Sequence, residues 1–129
     1  MTEATAFRHD EIFVGFNPID ELHREFQYLL DLLIDCEDAD YGQHLVDLHE
    51  HLLRHCGVEE EWMRQERYPG YARHKREHEE LLESVSEVRR RFDAGDIDAV
   101  RTFSTELMPW FTVHAQTMDA PLAAYLKGA

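Results

Sequence analysis

Two pairs of ionisable residues lie one helical turn apart within apolar stripes of the sequence. His55 precedes Glu59 by four positions, and His74 precedes His78 by four. Residues four apart on a helix share one face, so each pair can direct two side chains at the same point. The surrounding apolar residues recur with the same helical period, which places both pairs on the buried side of their helices. A fold for this chain must therefore bury ionisable groups in a helical core.

The apolar periodicity predicts four helices in all. We expect them over 18–36, 43–66, 71–92 and from 97 to about 114, with Asn17 and Asp96 as N-caps of the first and the fourth. The connections are short and either polar or marked by Pro-Gly or Ala-Gly pairs, which favours an antiparallel up-down-up-down four-helix bundle. We predict one all-α domain over 1–129, with an N-terminal arm at 1–17, the bundle at 18–127 and a short C-terminal helix.

The charge of the chain excludes several classes of partner. Its 129 residues carry a formal net charge of −14, and such a surface repels nucleic acid and anionic membranes. No apolar run approaches the roughly 18 residues of a membrane span, and the first residues lack the pattern of a secretion signal. Cys36 and Cys56 fit no zinc motif and predict no structural disulfide. We therefore expect a cytoplasmic protein that binds neither nucleic acid nor a membrane.

Histidines on the two remaining helices extend the ionisable set. His23 lies in the apolar stripe of the first helix and His114 in that of the fourth, so five imidazoles and Glu59 face one core. One such histidine alone would be read as a core residue with its own hydrogen bonds. Five with a matching carboxylate need a compensating charge, because buried polar and charged groups are costly when unpaired. A metal ion supplies that compensation.

Asp119 admits two interpretations. It follows His114 by five positions, and side chains five apart on a regular helix diverge by about 140°. They converge only where the helix widens into a π-type turn or ends between them. Pro121 fits the first turn of a new short helix. Asp119 is therefore either a further metal ligand or the N-cap of the terminal segment.

The number and the type of these ligands indicate two iron ions. Five imidazoles and two carboxylates exceed the four ligands of a tetrahedral zinc, whereas imidazole with carboxylate suits iron. If Glu59 and Asp119 bridge two six-coordinate irons beside an oxo or hydroxo bridge, the histidines divide as three and two. One iron then keeps an open position, which suits dioxygen or a peroxidic ligand.

The chain resembles the haemerythrin family, specifically its bacterial single-domain members, over nearly its whole length. The matching segments are VGF…IDELHREF, HCGVEEEWM, YPGYARHKREH and WFTVHAQTMD, which follow the family pattern H…HxxxE…HxxxH…HxxxxD. The resemblance implies a four-helix bundle that binds dioxygen reversibly. It also implies a role for each ligand: His74, His78 and His114 on the saturated iron, His23 and His55 on the open one, and Glu59 and Asp119 as bridges.

The sequence departs from the family pattern at the expected ligand pocket. Cys56 stands where the family usually has phenylalanine, and Ala115 stands where isoleucine is common. We expect Phe26, one turn from His23, to refill part of the lost volume, and Trp110, one turn from His114, to form pocket wall or core. A roomier pocket should admit water or peroxide, speed oxidation to the ferric state and weaken oxygen carriage.

Three functions remain open on these observations. The favoured one is reversible dioxygen binding for storage, delivery or sensing. The second is an enzyme that reduces peroxide or oxidises a small substrate, and the third is a redox or oxygen sensor that acts through an unidentified protein partner. Of the other histidines, His51 is expected to support a ligand or to lie at the core boundary, and His9, His44 and His49 are expected to face solvent.

Overall fold

The computed structural model describes residues 9–128, which are almost entirely helical. Five α-helices follow one another: α1 Asn17–Asp35, α2 Tyr41–Gln65, α3 Tyr71–Asp93, α4 Ile97–His114 and α5 Ala120–Lys127. Single 3₁₀ turns occupy His9–Ile12 and Asp38–Asp40, and a π-type turn, Ala115–Asp119, joins α4 to α5. Each of the first three helices packs on the next, and α4 closes the ring against α1. The predicted four-helix bundle is confirmed, and no strand occurs in the described range.

The two predicted N-caps have opposite outcomes. Asp96 caps α4, because its carboxylate accepts the backbone N–H of Ala99 at 3.1 Å. Asn17 is not a cap: α1 begins at Asn17 itself, and the preceding Phe16 makes no side-chain cap hydrogen bond. Pro18 at the first turn needs no hydrogen-bond acceptor for its nitrogen, which makes a side-chain cap less necessary there.

Asp20 fixes the chain that leads into α1. Its two carboxylate oxygens accept the backbone N–H groups of Val14 at 2.7 Å and Gly15 at 3.2 Å. Gly15 has φ +80°, a left-handed conformation that favours glycine. This turn folds the preceding residues back over α1, so that Ile12 is fully buried against the bundle. The arm predicted at 1–17 thus contains a defined 3₁₀ turn and a buried anchor, and residues 1–8 lie outside the described part of the chain.

Two apolar clusters occupy opposite ends of the bundle interior. The larger one includes Phe26 of α1 and Cys56 of α2, and the smaller one includes Ile19 of α1 and Met63 of α2. On α1, His23 lies between Ile19 and Phe26; on α2, His55 and Glu59 lie between Leu52 of the larger cluster and Met63 of the smaller one. The ligands therefore occupy a polar layer enclosed by apolar side chains on both sides.

The histidines expected at the surface are less exposed than predicted. His44 and His49 are half-buried, and Arg89 of α3 donates to Nδ1 of His49 at 3.0 Å. The side chain of His9 lies outside the described residues. Both cysteines are free thiols, as expected. Among the described helices, none combines the length and the apolar character required to traverse a bilayer.

Candidate metal centre

All seven predicted ligands come together in the polar layer of the bundle. Each of them is buried, with at most 3% of its surface exposed. They come from α1 (His23), α2 (His55 and Glu59), α3 (His74 and His78), the end of α4 (His114) and the π-type turn (Asp119). The i, i+4 pairs of α2 and α3 point inward as the apolar periodicity predicts.

The π-type turn decides between the two interpretations of Asp119. Its wider winding brings Oδ1 of Asp119 to 3.3 Å from Nε2 of His114, although the residues are five apart. Asp119 precedes α5, but its side chain makes no capping hydrogen bond, so the alternative role as an N-cap is wrong. Pro121 lies in the first turn of α5 and cannot donate a backbone hydrogen bond. The proline thus fits a point where the regular α-helical hydrogen bonding is interrupted.

Glu59 faces two different sets of histidines. Its Oε1 lies 3.2 Å from Nε2 of His78 and 3.5 Å from Nε2 of His74, while its Oε2 lies 3.1 Å from Nε2 of His55. The two oxygens of Asp119 are placed in the same way: Oδ1 lies 2.9 Å from Nε2 of His74, and Oδ2 lies 2.9 Å from Nε2 of His23. One oxygen of each carboxylate thus faces the three-histidine group (His74, His78 and His114). The other faces the two-histidine group (His23 and His55).

Several polar atoms at the centre of this arrangement have no hydrogen-bond partner. Oε1 of Glu59, Oδ1 of Asp119 and both ring nitrogens of His74 are buried and unsatisfied in the structure. Nε2 of His74 lies near both carboxylates, yet neither approach has the alignment of a hydrogen bond. An unsatisfied buried polar group costs about 1–3 kcal/mol, and a cation bound between these atoms would satisfy all but the outward Nδ1 of His74.

The spacing of the ligand atoms also fits metal ions. Atoms of Glu59, Asp119 and the three-histidine group all lie within 4.8 Å of one another, and so do atoms of His23, His55 and Glu59. Imidazole nitrogens with carboxylate oxygens are a donor set suited to divalent transition metals. The residues present therefore fit a metal centre with two adjacent positions that share Glu59.

The electrostatics of the centre favour positive charge. Burial opposes ionisation of Glu59 and Asp119, but the surrounding histidines more than offset it and hold the pKa of both carboxyls well below the usual range. Burial likewise opposes protonation of His74, yet the close negative charges of Asp119 and Glu59 raise the pKa of His74 to about 9. The same carboxylates raise the pKa of His23 and His114. The two buried negative charges thus attract a cation, which competes with protons for the histidines.

Outer contacts orient four of the five histidine rings. Nδ1 of His78 donates to Glu60 Oε2 at 2.9 Å, Nδ1 of His114 donates to Glu77 Oε1 at 2.8 Å, and Nδ1 of His23 donates to the carbonyl of Ile12. Nδ1 of His55 lies 3.1 Å from Nε2 of His51. In each case the contact leaves Nε2 facing the centre. Such partners fix the orientation of a ligand ring and raise its basicity.

These outer partners were only partly predictable. His51, buried to 1% exposure, supports a ligand as expected, and burial together with the neighbouring His55 lowers the pKa of His51 to about 4. Glu60 and Glu77 were not predicted, because each reaches a ligand on a neighbouring helix and the sequence does not specify which helices face each other. Ile12 contributes a backbone carbonyl, for which the residue type gives no signal.

Phe111 is the aromatic residue that sequence reasoning missed. It is buried to 2% exposure, its ring stacks on Phe26 at 4.0 Å, and it lies edge-on to His23 at 5.0 Å and His55 at 6.0 Å. Both Trp110 and Phe111 have permitted helical spacings to His114, so periodicity alone does not choose between them. The structure turns Phe111 inward, where it covers the two-histidine group with apolar surface.

The predicted pocket residues have different surroundings. Phe26, Cys56 and Ala115 are buried in the same apolar cluster as Phe111. Trp110 is half-buried and stacks on the His114 ring at 5.1 Å with an 11° tilt, so it contacts the three-histidine group. Trp110 and Phe103 are both half-buried and both pack against the larger apolar cluster.

Known proteins resemble this chain in sequence and in fold. Residues 14–126 match the family described as Hemerythrin HHE cation binding domain. The chain is 32% identical over 117 residues to a bacteriohemerythrin of Ralstonia nicotianae, covering 91% of this chain and 85% of that one. It is 30% identical over 112 residues to a myohemerythrin of Sipunculus nudus, covering 85% of each.

A solved crystal structure of wild-type hemerythrin superposes with a TM-score of 0.81 over 95% of this chain and 97% of that chain. At 22% identity this likeness concerns the fold. The family match and the curated relatives extend over most of the chain, and the matched range includes every residue of the metal centre. The chain belongs to the haemerythrin family.

Proposed function

We propose that this protein is a non-haem di-iron protein that binds dioxygen reversibly, for storage, delivery or sensing. The observation that carries the proposal is the placement of the carboxylate oxygens of Glu59 and Asp119. In each carboxylate, one oxygen faces the three-histidine group and the other faces the two-histidine group. Carboxylates shared in this way are typical of dinuclear sites in helical bundles. A single metal ion would leave one of the two groups without a charge partner.

In this proposal His74, His78 and His114 hold one iron, and His23 and His55 hold the other, with Glu59 and Asp119 shared between them. Bound there, a pair of irons supplies reversible electron transfer to a small ligand at the less fully coordinated position. The two-histidine group would provide that position, since it offers one nitrogen fewer.

The chain's own apolar residues control access to that position. Phe111 covers His23 and His55, Phe26 stacks on Phe111, and Ala115 and Cys56 belong to the same buried apolar cluster. These side chains limit the access of water to a small bound ligand. Exclusion of water slows the loss of charge and of protons from the site to solvent. Burial, aided by the nearby Glu59, raises the pKa of the Cys56 thiol, so the sulfur stays protonated and neutral at pH 7.

An enzyme that reduces peroxide is the alternative that one observation favours. Cys56 and Ala115 are smaller than the phenylalanine and isoleucine of the family pattern, which leaves room for water or peroxide. The Phe26–Phe111 stack opposes this, because it fills apolar space at the same cluster. We therefore favour reversible binding.

Anaerobic reduction followed by addition of oxygen tests the proposal. We expect metal analysis to give two irons per chain, and we expect an optical band that forms with oxygen and disappears under vacuum. Immediate conversion to a ferric state with catalytic loss of peroxide would favour the enzyme. One metal per chain, or zinc as the native metal, would refute the di-iron proposal.

A further inference from the structure

A chain of close polar contacts leads from the surface of the bundle to one histidine of the two-histidine group. Glu25, on the exposed side of α1, places Oε1 3.1 Å from Nδ1 of His51. Nε2 of His51 lies 3.1 Å from Nδ1 of His55, and Nε2 of His55 faces Glu59. Arg54 donates to the same oxygen of Glu25 at 2.9 Å. His51 is one of the most buried residues of α2, at 1% exposure, although it is not among the metal ligands.

Metal binding allows only one arrangement of protons in this chain. A metal ion on Nε2 of His55 leaves the proton of that ring on Nδ1, which must then donate to Nε2 of His51. A neutral His51 that accepts at Nε2 carries its own proton on Nδ1, which lies 3.1 Å from Oε1 of Glu25. The negative charge of the Glu25 carboxylate at that distance favours a proton on Nδ1.

Arg54 offers His51 a competing arrangement. Its Nη2 lies 3.3 Å from Nδ1 of His51, close enough to donate to that nitrogen. If Nδ1 of His51 accepted from Arg54, its Nε2 would carry the proton and donate to Nδ1 of His55. His55 would then carry its proton on Nε2, where a metal ion cannot bind. Glu25 opposes this in two ways: it accepts a hydrogen bond from Arg54, and its negative charge lies 3.1 Å from Nδ1 of His51, where it favours a proton.

We propose that His51 and Glu25 are positioning residues that hold His55 in its metal-binding tautomer and so retain the metal of the two-histidine group. The inference rests on the proposed di-iron function, since it assigns His55 to a metal position of its own. The outer partners of His78, His114 and His23 are carboxylates or a backbone carbonyl, which only accept hydrogen bonds. His55 alone depends on an imidazole that is able to present either a donor or an acceptor.

The effect should therefore be confined to one of the two metals. Removing His51 leaves Nδ1 of His55 without its acceptor but touches no partner of the three-histidine group. Loss of such a partner typically costs 10–100-fold in metal affinity. A role of His51 in packing alone would instead loosen both positions together.

Iron release from the reduced, iron-loaded protein to an excess of a ferrous chelator, followed anaerobically, tests the inference. For His51→Leu we expect one iron per chain to leave about 10–100-fold faster than in the unmodified protein, with the second unchanged. His51→Gln should restore slow release, because its amide oxygen lies near the former Nε2 and accepts from His55. Glu25→Ala should accelerate loss of the same iron. Glu21→Ala is the matched control, since it removes an exposed carboxylate of α1 that pairs with Arg24 and contacts no ligand.

The outcomes separate the inference from the proposed function. If the unmodified protein carries one metal per chain, the di-iron function fails before any variant is made. If it carries two, the inference is overturned when His51→Leu releases both irons at equally increased rates, releases neither faster, or behaves like His51→Gln. Should His51→Leu not fold, the exposed Glu25→Ala decides: selective loss of one iron supports the inference, and release like that of Glu21→Ala overturns it.

Discussion

Replacing Phe111 with alanine tests the role of the aromatic residue that covers the two-histidine group. The side chain is almost completely buried and stacks on Phe26. Truncation of a buried phenylalanine to alanine costs about 3–5 kcal/mol, of which the lost aromatic pair accounts for about 0.5–1.5 kcal/mol. Since whole domains are stable by only about 5–15 kcal/mol, this is a large fraction of the total. In a chain of 129 residues it corresponds to a fall in Tm of about 10–20 °C.

Thermal unfolding of the metal-free variant, followed by circular dichroism, measures the first consequence. Phe103→Ala is the matched control, because Phe103 lies on the same helix but is only half-buried and makes no ring contact with a ligand within the described residues. We expect it to lower the free energy of unfolding by less than half as much.

The second consequence concerns oxidation of the reduced, iron-loaded protein in air. Loss of Phe111 opens apolar space beside His23 and His55, so the oxidised state should form faster in Phe111→Ala than in Phe103→Ala, measured by optical spectroscopy at a temperature where both are folded. If the two variants are equally destabilised and oxidise at equal rates, Phe111 does not cover the ligand position as argued.

Three further experiments test the pocket, the bridging carboxylate and the N-terminal arm. Restoring the family pattern with Cys56→Phe and Ala115→Ile should slow oxidation to the ferric state. Because both positions are buried, the larger side chains should also cost about 1–3 kcal/mol of stability per site. Oxidation as fast as in the original protein would argue against the roomy pocket. Asp119→Asn keeps the shape of a bridging side chain without its charge, so we expect metal analysis to show less than two irons per chain, and full loading would contradict the bridging role. Asp20→Ala removes the acceptor of the backbone N–H groups of Val14 and Gly15, so hydrogen exchange of these two amides should become faster. It should also loosen the contact between the Ile12 carbonyl and His23. Unchanged exchange would show that other contacts hold the arm.

The sequence predicted the elements of the fold because each helix carries a strong apolar period. The start of α3 at Tyr71, the start of α4 at Ile97 and the cap at Asp96 agree with the structure. The start of α1 was displaced by one residue because Asn17 is a good cap by type, whereas the chain there is fixed by the side chain of Asp20. Local propensity identifies a possible cap but does not show which residue the preceding chain reaches.

The inward placement of the side chains of the candidate centre was predictable for the same reason, and their surroundings were not. His55, Glu59, His74 and His78 follow from spacing within a helix, and the five-residue spacing to Asp119 required the π-type turn that the structure contains. Contacts between helices depend on the rotation of each helix about its axis. Rotating α4 about its axis by about 100°, the angle between successive residues, would place Trp110 in the core instead of Phe111. Because the two aromatic residues are adjacent, the apolar periodicity does not fix this rotation.

The outer contacts make the two metal positions differ beyond the number of their histidines. In the three-histidine group, His78 and His114 donate to the carboxylates of Glu60 and Glu77, and an anionic partner makes an imidazole a stronger donor to a metal.

In the two-histidine group the corresponding partners are neutral, a backbone carbonyl for His23 and an imidazole for His55. A metal held by the three-histidine group would thus also have the more basic ligands. A metal held by the two-histidine group would have weaker donors and would retain greater Lewis acidity. On the proposed function, that difference directs an incoming small ligand to the side that Phe111 covers. The same asymmetry explains why the contact between His51 and His55 should govern one metal and not the other.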